Sequence, residues 1–355
     1  MASSDPKTTS SSRRALSITL DDGSIVEYTM RGLREEEIGA WASFCASVFS
    51  YKAHPPPPSY FERHYRNDPH AESDLVRVIL WNDEVIASSC RIFRKRVSLG
   101  NGKTVPAGGI GEVCTAVDHQ RRGLSKCLLR NAIDIMKLRH MEISFLHAAP
   151  EFFPVYERVG GYTSTKSKWS VATLKLDQLN AATAANDSSL SIYTTRLAEF
   201  PKDTKRLQLL HQAYSEQQLA GCIVRSEDYW NTYLAQELHG TLFVLENSTT
   251  GVNVVMAWMS LRQRGDRYQM REFGCDPDHC PVDLACSLLV RTCLDGMDAP
   301  SMPTTTTIDL HLPTFMLRSL GGTDCKYVDA VVEDNDLGWM YVSLQDGGAD
   351  RKSVV

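Results

Sequence analysis

The sequence predicts two mixed α/β domains in tandem. Three observations carry that prediction. The chain has 355 residues, which suits two domains of ordinary size. Strand-like and helix-like patterns follow one another in the same order on both sides of a segment without apolar periodicity, residues 180–189. An 18-residue window of the first half can also be laid on one of the second half without a gap.

Residues 1–15 are rich in Ser and Thr and are expected to be a disordered tail. The first domain is expected over 16–178. It opens with strands at 16–20 and 25–30 around the turn Asp21-Asp22-Gly23. Glu35, Glu36 and Glu37 suit a helix start, and Ile38, Trp41, Cys45 and Val48 then form a stripe of core type. Prolines 55–58 read as a stiff extended loop. Strands are expected at 75–80, 84–93, 94–99 and 110–116, with turns at Asn82-Asp83 and Gly100-Asn101-Gly102. A helix over 124–139 places Leu124, Leu128, Ala132, Ile135 and Met136 on one face. Strands at 143–147 and 166–176 follow, interrupted by Gly160-Gly161. A linker is expected at 179–189 and a second domain at 190–345. Its strands fall at 190–195, 241–246, 254–261, 268–273 and 304–312. Its helices carry Leu207, Leu210 and Tyr214, then 229–238 and 284–294. Residues 346–355 are polar and expected to be a flexible tail.

Composition narrows the function. Apolar residues make up 43% and charged residues 23%, values of an ordinary globular protein. The net charge is −5, so no nucleic-acid partner is expected. Ten cysteines are scattered through apolar stretches, where a free thiol behaves as a small hydrophobe. With no secretory pattern in the first 14 residues, this suggests a reducing, cytoplasmic location. No run of 18 apolar residues occurs, so no membrane partner is expected either.

The repeated window is chemically asymmetric. EVCTAVDHQRRGLSKCLL (112–129) and EFGCDPDHCPVDLACSLL (272–289) share six identities and both join a strand to a helix. The first carries Gln120, Arg121, Arg122, Gly123, Leu124 and Ser125 at the strand-to-helix turn. Glycine, free N–H groups at a helix start and two arginines make a cradle for pyrophosphate. The second copy has Pro281, which lacks an N–H, and Asp283 where the glycine stood. That carboxylate would repel a phosphate, so one anion site per chain is expected.

Gln120-x-x-Gly123-x-Ser125 resembles the Gln/Arg-x-x-Gly-x-Gly/Ala signature of the GNAT acetyltransferases. Tyr156-Glu157-Arg158-Val159-Gly160-Gly161-Tyr162 is similar to the element that closes their domains. Gly221-x-x-x-Arg225-Ser226-x-x-Tyr229-Trp230 is similar to a segment of the second domain of Eis-like tandem GNAT proteins. The chain is expected to be such a protein without the third, sterol-carrier-like domain. The resemblance implies two GNAT-like domains of α+β type, each a mixed, mostly antiparallel sheet flanked by helices. It implies acetyl-CoA as cosubstrate and transfer of acetyl to a primary amine on a small molecule or a lysine. It maps the pantetheine contacts to Val113, Cys114 and Thr115, and the pyrophosphate loop to Gln120 through Ser125. The second domain, without the loop, is expected to serve the acceptor.

Transfer of acetyl to an amine needs a base for the amine and an acid for the departing sulfur. Tyr156 stands where the family often places a tyrosine that protonates sulfur. Its other reading is a hydrogen-bonded core tyrosine. Glu112 is a candidate base, and its other reading is a structural carboxylate paired with an arginine. His147, Glu151 and Val355 are weaker candidates. Cys114 lacks a neighbouring activating histidine in sequence and reads as a packing residue. Cys275, His279 and Cys280 lack the second ligand pair of a zinc site, so no metal is expected. The rival to an enzyme is an acyl-CoA-binding regulatory protein without turnover.

Overall fold

The computed structural model describes residues 13–51, 54–183, 191–216, 219–248, 253–296, 307–320 and 325–345. Most of the expected tails (1–12 and 346–355) and of the linker (184–189) lie outside them. The first part of the chain forms β1 (Arg14–Thr19), β2 (Ile25–Gly32), α1 (Ile38–Val48), α2 (Pro58–Arg66), β3 (Val76–Trp81), β4 (Val85–Gly100) and β5 (Lys103–Thr115). There follow α3 (Leu124–Leu138), β6 (Ile143–His147), α4 (Phe153–Gly160) and β7 (Thr163–Ser164). The chain continues with β8 (Trp169–Lys175), α5 (Leu176–Ala182), β9 (Tyr193–Leu197) and α6 (Thr204–His211). Next come α7 (Glu227–Tyr229) and α8 (Ala235–Glu237), joined by a π-helical turn, then β10 (Leu242–Asn247), β11 (Val254–Arg264) and β12 (Arg267–Cys275). The last elements are α9 (Val282–Gly296), β13 (Thr307–Pro313), β14 (Val328–Glu333) and β15 (Trp339–Ser343). No helix among the described residues is long and apolar enough to cross a membrane.

The chain divides into two compact units. The first holds residues up to Val97, Val105–Thr165 and Gly338 onward, and the second holds Ser98–Thr104 and Lys166–Leu337. The first sheet runs β1-β2-β3-β4-β5-β6-β15-β7. Its β5 and β6 are parallel, and α3 is the crossover that parallel neighbours require. One face of this sheet packs against Leu124, Leu128, Ala132 and Met136 of α3, the stripe the sequence shows. The other face packs against Trp41 and Cys45 of α1 and Phe61 and Tyr65 of α2.

The second sheet runs β14-β8-β13-β12-β11-β10-β9. Here β12 and β13 are the parallel pair, with α9 as crossover. The two units thus repeat one plan, a mixed and mostly antiparallel sheet flanked by helices.

The expected boundaries cut this plan differently. Domains at 16–178 and 190–345 would keep β8 in the first and β15 in the second. Instead β8 pairs with β13 and β14 in the second sheet, and β15 pairs with β6 and β7 in the first. Each sheet takes the strand beside its parallel pair from the other half of the sequence. The expected tail also gives up Arg14 and Ala15 to β1. The expected linker gives up residues 179–182 to α5, which buries Leu179. The two strands expected at 84–93 and 94–99 are one strand, β4, because Arg94 and Arg96 point outward and pairing continues past them. Pro58 opens α2 instead of extending the loop, since a first helical residue has no N–H to lose.

Candidate active site

The first sheet opens into a fork. β5 and β6 stay in register from Ala107↔Ile143 to Ile110↔Leu146 and then part. β5 continues to Thr115. The parting coincides with Glu112, whose φ of +51° is left-handed and turns the strand. Val113, Cys114 and Thr115 lie beyond the fork, with no β6 partner among the described residues. Val113 packs on the α3 side, while Cys114 is buried on the α1 side. The Cys114 sulfur lies 3.9 Å from that of Cys45, inside an apolar core. Ser88 Oγ donates to the Cys114 carbonyl at 2.9 Å and lies 2.8 Å from Thr115 Oγ1.

The loop from Gln120 to Ser125 follows. Arg121 has φ +60° and Gly123 has φ +76°. Two left-handed residues so close together turn successive N–H groups into one concavity. Gly123 caps α3 with no side chain donating or accepting at the cap. The first N–H groups of α3 therefore have no acceptor in the helix and none from a cap. A Cβ at Gly123 would meet nothing within 4 Å, so the residue is needed for its conformation and not for space. Gln120 Nε2 donates to the Thr115 carbonyl at 3.2 Å and ties the loop to β5. Arg121 is exposed, Leu124 is in the core and Ser125 is half-buried. Arg122 differs from expectation. It donates to the Tyr28 hydroxyl at 2.6 Å and to the Asp118 carbonyl at 2.6 Å, and lies 3.3 Å from His119 Nδ1. Its guanidinium braces the loop from within, leaving its charge but few of its donors for an anion.

The second copy repeats the frame without the cradle. The Ala116 N–H bonds the Ala87 carbonyl, and the Asp276 N–H bonds the Met256 carbonyl, both within 2.9 Å. His119 bonds back to Ala116 as His279 does to Asp276. The next helix, however, starts at Val282, two repeat positions earlier than α3. No residue with positive φ occurs in this turn, and Cys280 is 1% exposed. Asp276 Oδ1 lies 2.9 Å from His279 Nδ1, and Arg206 donates to Oδ2 at 2.9 Å. Among the described residues no three His, Cys, Asp or Glu are placed to hold a metal.

Tyr156 and Tyr162 lie on the α3 face, their rings 6.0 Å apart edge to face. Gly161, with φ +68°, ends α4 between them. Tyr162 is the hydrogen-bonded core tyrosine, with its hydroxyl 2.6 Å from Ser144 Oγ. The Tyr156 hydroxyl has no such partner among the described residues. Burial pushes its phenol above the ordinary range, so it holds its proton.

Glu112 sits on the α2 side. Its Oε1 lies 3.6 Å from Arg91 Nη1, and its buried Oε2 has no hydrogen-bond partner among the described residues. Burial pushes its carboxyl up to about 7, and Arg91 offsets only part of that rise. Arg91 also lies 3.6 Å from Asp68, which Lys95 holds at 2.9 Å. The guanidinium is stacked over Phe93 at 4.2 Å and over Tyr65 at 5.1 Å. Asp68 and Arg91 escaped the sequence reading. The signal available was Arg91 on β4, set apart from the charged run Arg94-Lys95-Arg96 by Ile92 and Phe93.

Residues 29–164 match the acetyltransferase (GNAT) domain family. This stretch is a GNAT domain. N-acetyltransferase, the enzyme class expected from the sequence, is the class of that domain. No curated protein matches the chain in sequence. Solved structures share its fold beyond the GNAT domain. A conserved protein of Enterococcus faecalis V583, described as a probable N-acyltransferase, has a TM-score of 0.63 at 14% identity, covering 89% of this chain and 72% of that one. Eis1 of Mycobacterium abscessus has a TM-score of 0.56 at 14% identity, covering 89% and 73%. The N-myristoyltransferase of Saccharomyces cerevisiae, solved with bound myristoyl-CoA, has a TM-score of 0.53 at 9% identity, covering 88% and 79%. At these identities the likeness is one of fold. It extends the GNAT plan to both units.

Proposed function

We propose that the chain takes acetyl from acetyl-CoA and passes it directly to a primary amine, preferably on a small molecule. The observation that carries this reading is the fork at Ile110 beside the left-handed loop at Arg121 and Gly123. The unpaired β5 edge offers N–H and C=O groups to a pantetheine arm, and the loop offers N–H groups to a pyrophosphate. Bound there, acetyl-CoA supplies the acetyl group as a thioester.

The chain's own residues then handle two protons. An ammonium has no lone pair, so the acceptor must lose a proton before it attacks the acetyl carbon. Glu112 has the carboxyl to take that proton, directly or through water, since its pKa lies near neutrality. As the carbon–nitrogen bond forms and the carbon–sulfur bond breaks, the nitrogen gives up its second proton to solvent and the sulfur leaves as a thiolate. Tyr156 supplies its proton, from a hydroxyl that no described side chain engages. Arg121 and the N–H groups around Gly123 hold the pyrophosphate, and Arg122 keeps their loop in shape.

The test is release of free CoA over a panel of amines, amino acids, polyamines, aminoglycosides and lysine peptides, with acetyl-CoA and longer acyl-CoA donors. Turnover with a small amine supports the reading. Turnover with peptides alone moves the acceptor to lysine. Tight binding with no turnover makes the chain an acyl-CoA-binding protein.

A further inference from the structure

The two copies of the repeat hold the same glutamate in different ways. Glu272 receives two hydrogen bonds from Arg225, at 2.7 and 2.8 Å. That geometry is the bidentate fork that fixes a carboxylate in its charged form, and the Glu272 carboxyl lies below its ordinary range. Glu112 also faces an arginine, but at 3.6 Å, beyond hydrogen-bond reach. Both Nη atoms of Arg91 are buried without a hydrogen bond among the described residues. Something keeps Arg91 from closing on Glu112, and the structure shows what it is. Asp68 lies 3.6 Å from the other Nη atom and is itself buried, at 4% exposure. One guanidinium stands between two carboxylates and grips neither.

We infer that Asp68 is a positioning residue for Glu112: it draws Arg91 away from full engagement and so leaves the Glu112 carboxyl free to exchange a proton. In the second copy the nearby buried Glu216 carboxylate accepts from the Arg225 backbone N–H at 3.2 Å, and the guanidinium commits to Glu272. The inference deepens the proposed reading of Glu112 as base and rests on it only for its catalytic meaning.

The groups around Glu112 support this assignment. Asp68, from the turn after α2, raises the Glu112 carboxyl, and Arg91 from β4 lowers it. Lys95 of β4 donates to Asp68 Oδ2 at 2.9 Å. Cys45 of α1 and Cys90 of β4 feel the Glu112 charge, but burial raises both thiols and keeps them neutral. Cys114 of β5 and Tyr65 of α2 complete the wall, and Tyr65 is pushed up to about 12. The charged contest is therefore between Asp68 and Glu112 for one arginine.

The experiment follows the Glu112 side-chain carboxyl directly by carbon-13 NMR in glutamate-labelled full-length protein, with Glu112→Gln to assign the resonance. Asp68→Asn keeps the shape of the side chain and removes its charge. Its Glu112 midpoint should fall by about one pH unit, the smaller end of the effect of a neighbouring charge. Lys95→Met should move the midpoint upward, because Asp68 then holds Arg91 unopposed. Opposite movements in the two variants support the inference. An unmoved midpoint in a folded Asp68→Asn protein overturns it. If Asp68→Asn does not fold, an unmoved or lowered midpoint in Lys95→Met overturns it. The pH–rate profile is read separately. A Glu112→Gln protein with wild-type turnover removes Glu112 as base, while the titration result still decides the role of Asp68.

Discussion

Glu112 faces one side of the first sheet and Tyr156 the other. Glu112 lies toward α2, beside Arg91 and Tyr65, and Tyr156 packs with α3 and α4. The fork between β5 and β6 is where the two faces communicate. Opposite faces suit the proposed reaction, in which one proton is removed and a different one delivered, because base and acid do not compete for the same space.

Tyr156→Phe keeps the ring and removes the proton. The kcat should fall by about 100- to 10,000-fold, the usual worth of a general acid. The Kd for acetyl-CoA should stay within about twofold, since loop and strand contacts remain and twofold is well under 1 kcal/mol. Steady-state kinetics with an accepted amine, alongside calorimetry, checks both. Near-normal turnover would leave protonation of the sulfur to water.

Gly123→Asp and Gly123→Asn separate charge from shape. Asparagine tolerates the left-handed conformation better than most residues, and space for a side chain exists. The aspartate should weaken acetyl-CoA binding at least about tenfold more than the asparagine, a difference of roughly 1.4 kcal/mol. Equal affinities measured by calorimetry would take the phosphate away from this loop.

Binding should show one acetyl-CoA per chain. The turn before α9 lacks the positive-φ residues of the turn before α3, and Pro281 and Asp283 stand at its helix start. A stoichiometry of two, or one that survives Gly123→Asp unchanged, would place a site in the second unit.

Stability should fall as pH rises through neutrality. The folded Glu112 carboxyl sits at about 7, above its ordinary value, so folding favours its protonated form. The stability from that preference is complete below the unfolded pKa and is lost as pH rises toward and through the folded one. Its size is on the order of 3 kcal/mol, since each tenfold change in an acid dissociation constant is worth about 1.4 kcal/mol. Urea unfolding between pH 4 and pH 8 should show this decline in wild type and not in Glu112→Gln. A decline of equal size in both proteins would assign it to other groups.

Local signals in the sequence were legible where one segment carries its own chemistry. Gly123 announces a left-handed turn because no other residue adopts it so readily, and the α3 stripe announces its buried face. The repeat showed both the duplication and the loss of the cradle, through Pro281 and Asp283. Three features were not legible. Arg122 reads as a phosphate ligand, because nothing nearby in sequence names Tyr28 as its partner. Asp68 and Arg91 are separated by 22 residues of ordinary pattern, and only the fold brings them together. β15 carries four apolar residues in a row and no alternation, so no strand is expected there, and the strand expected at 166–176 gives no sign of which sheet receives β8.

β15 lies between β6 and β7, yet among the described residues it is the last strand to be synthesised. At ribosomal speeds of roughly 5–20 residues per second, β7 waits roughly 10 to 30 s for the neighbour that joins it to its own sheet. Throughout that interval β6 presents an open edge, the kind of edge that pairs with whatever strand is at hand. The first strand at hand is β8, which emerges immediately after β7 and has a permanent place elsewhere. The nascent chain must keep that slot empty, or empty it again, until the final strand arrives.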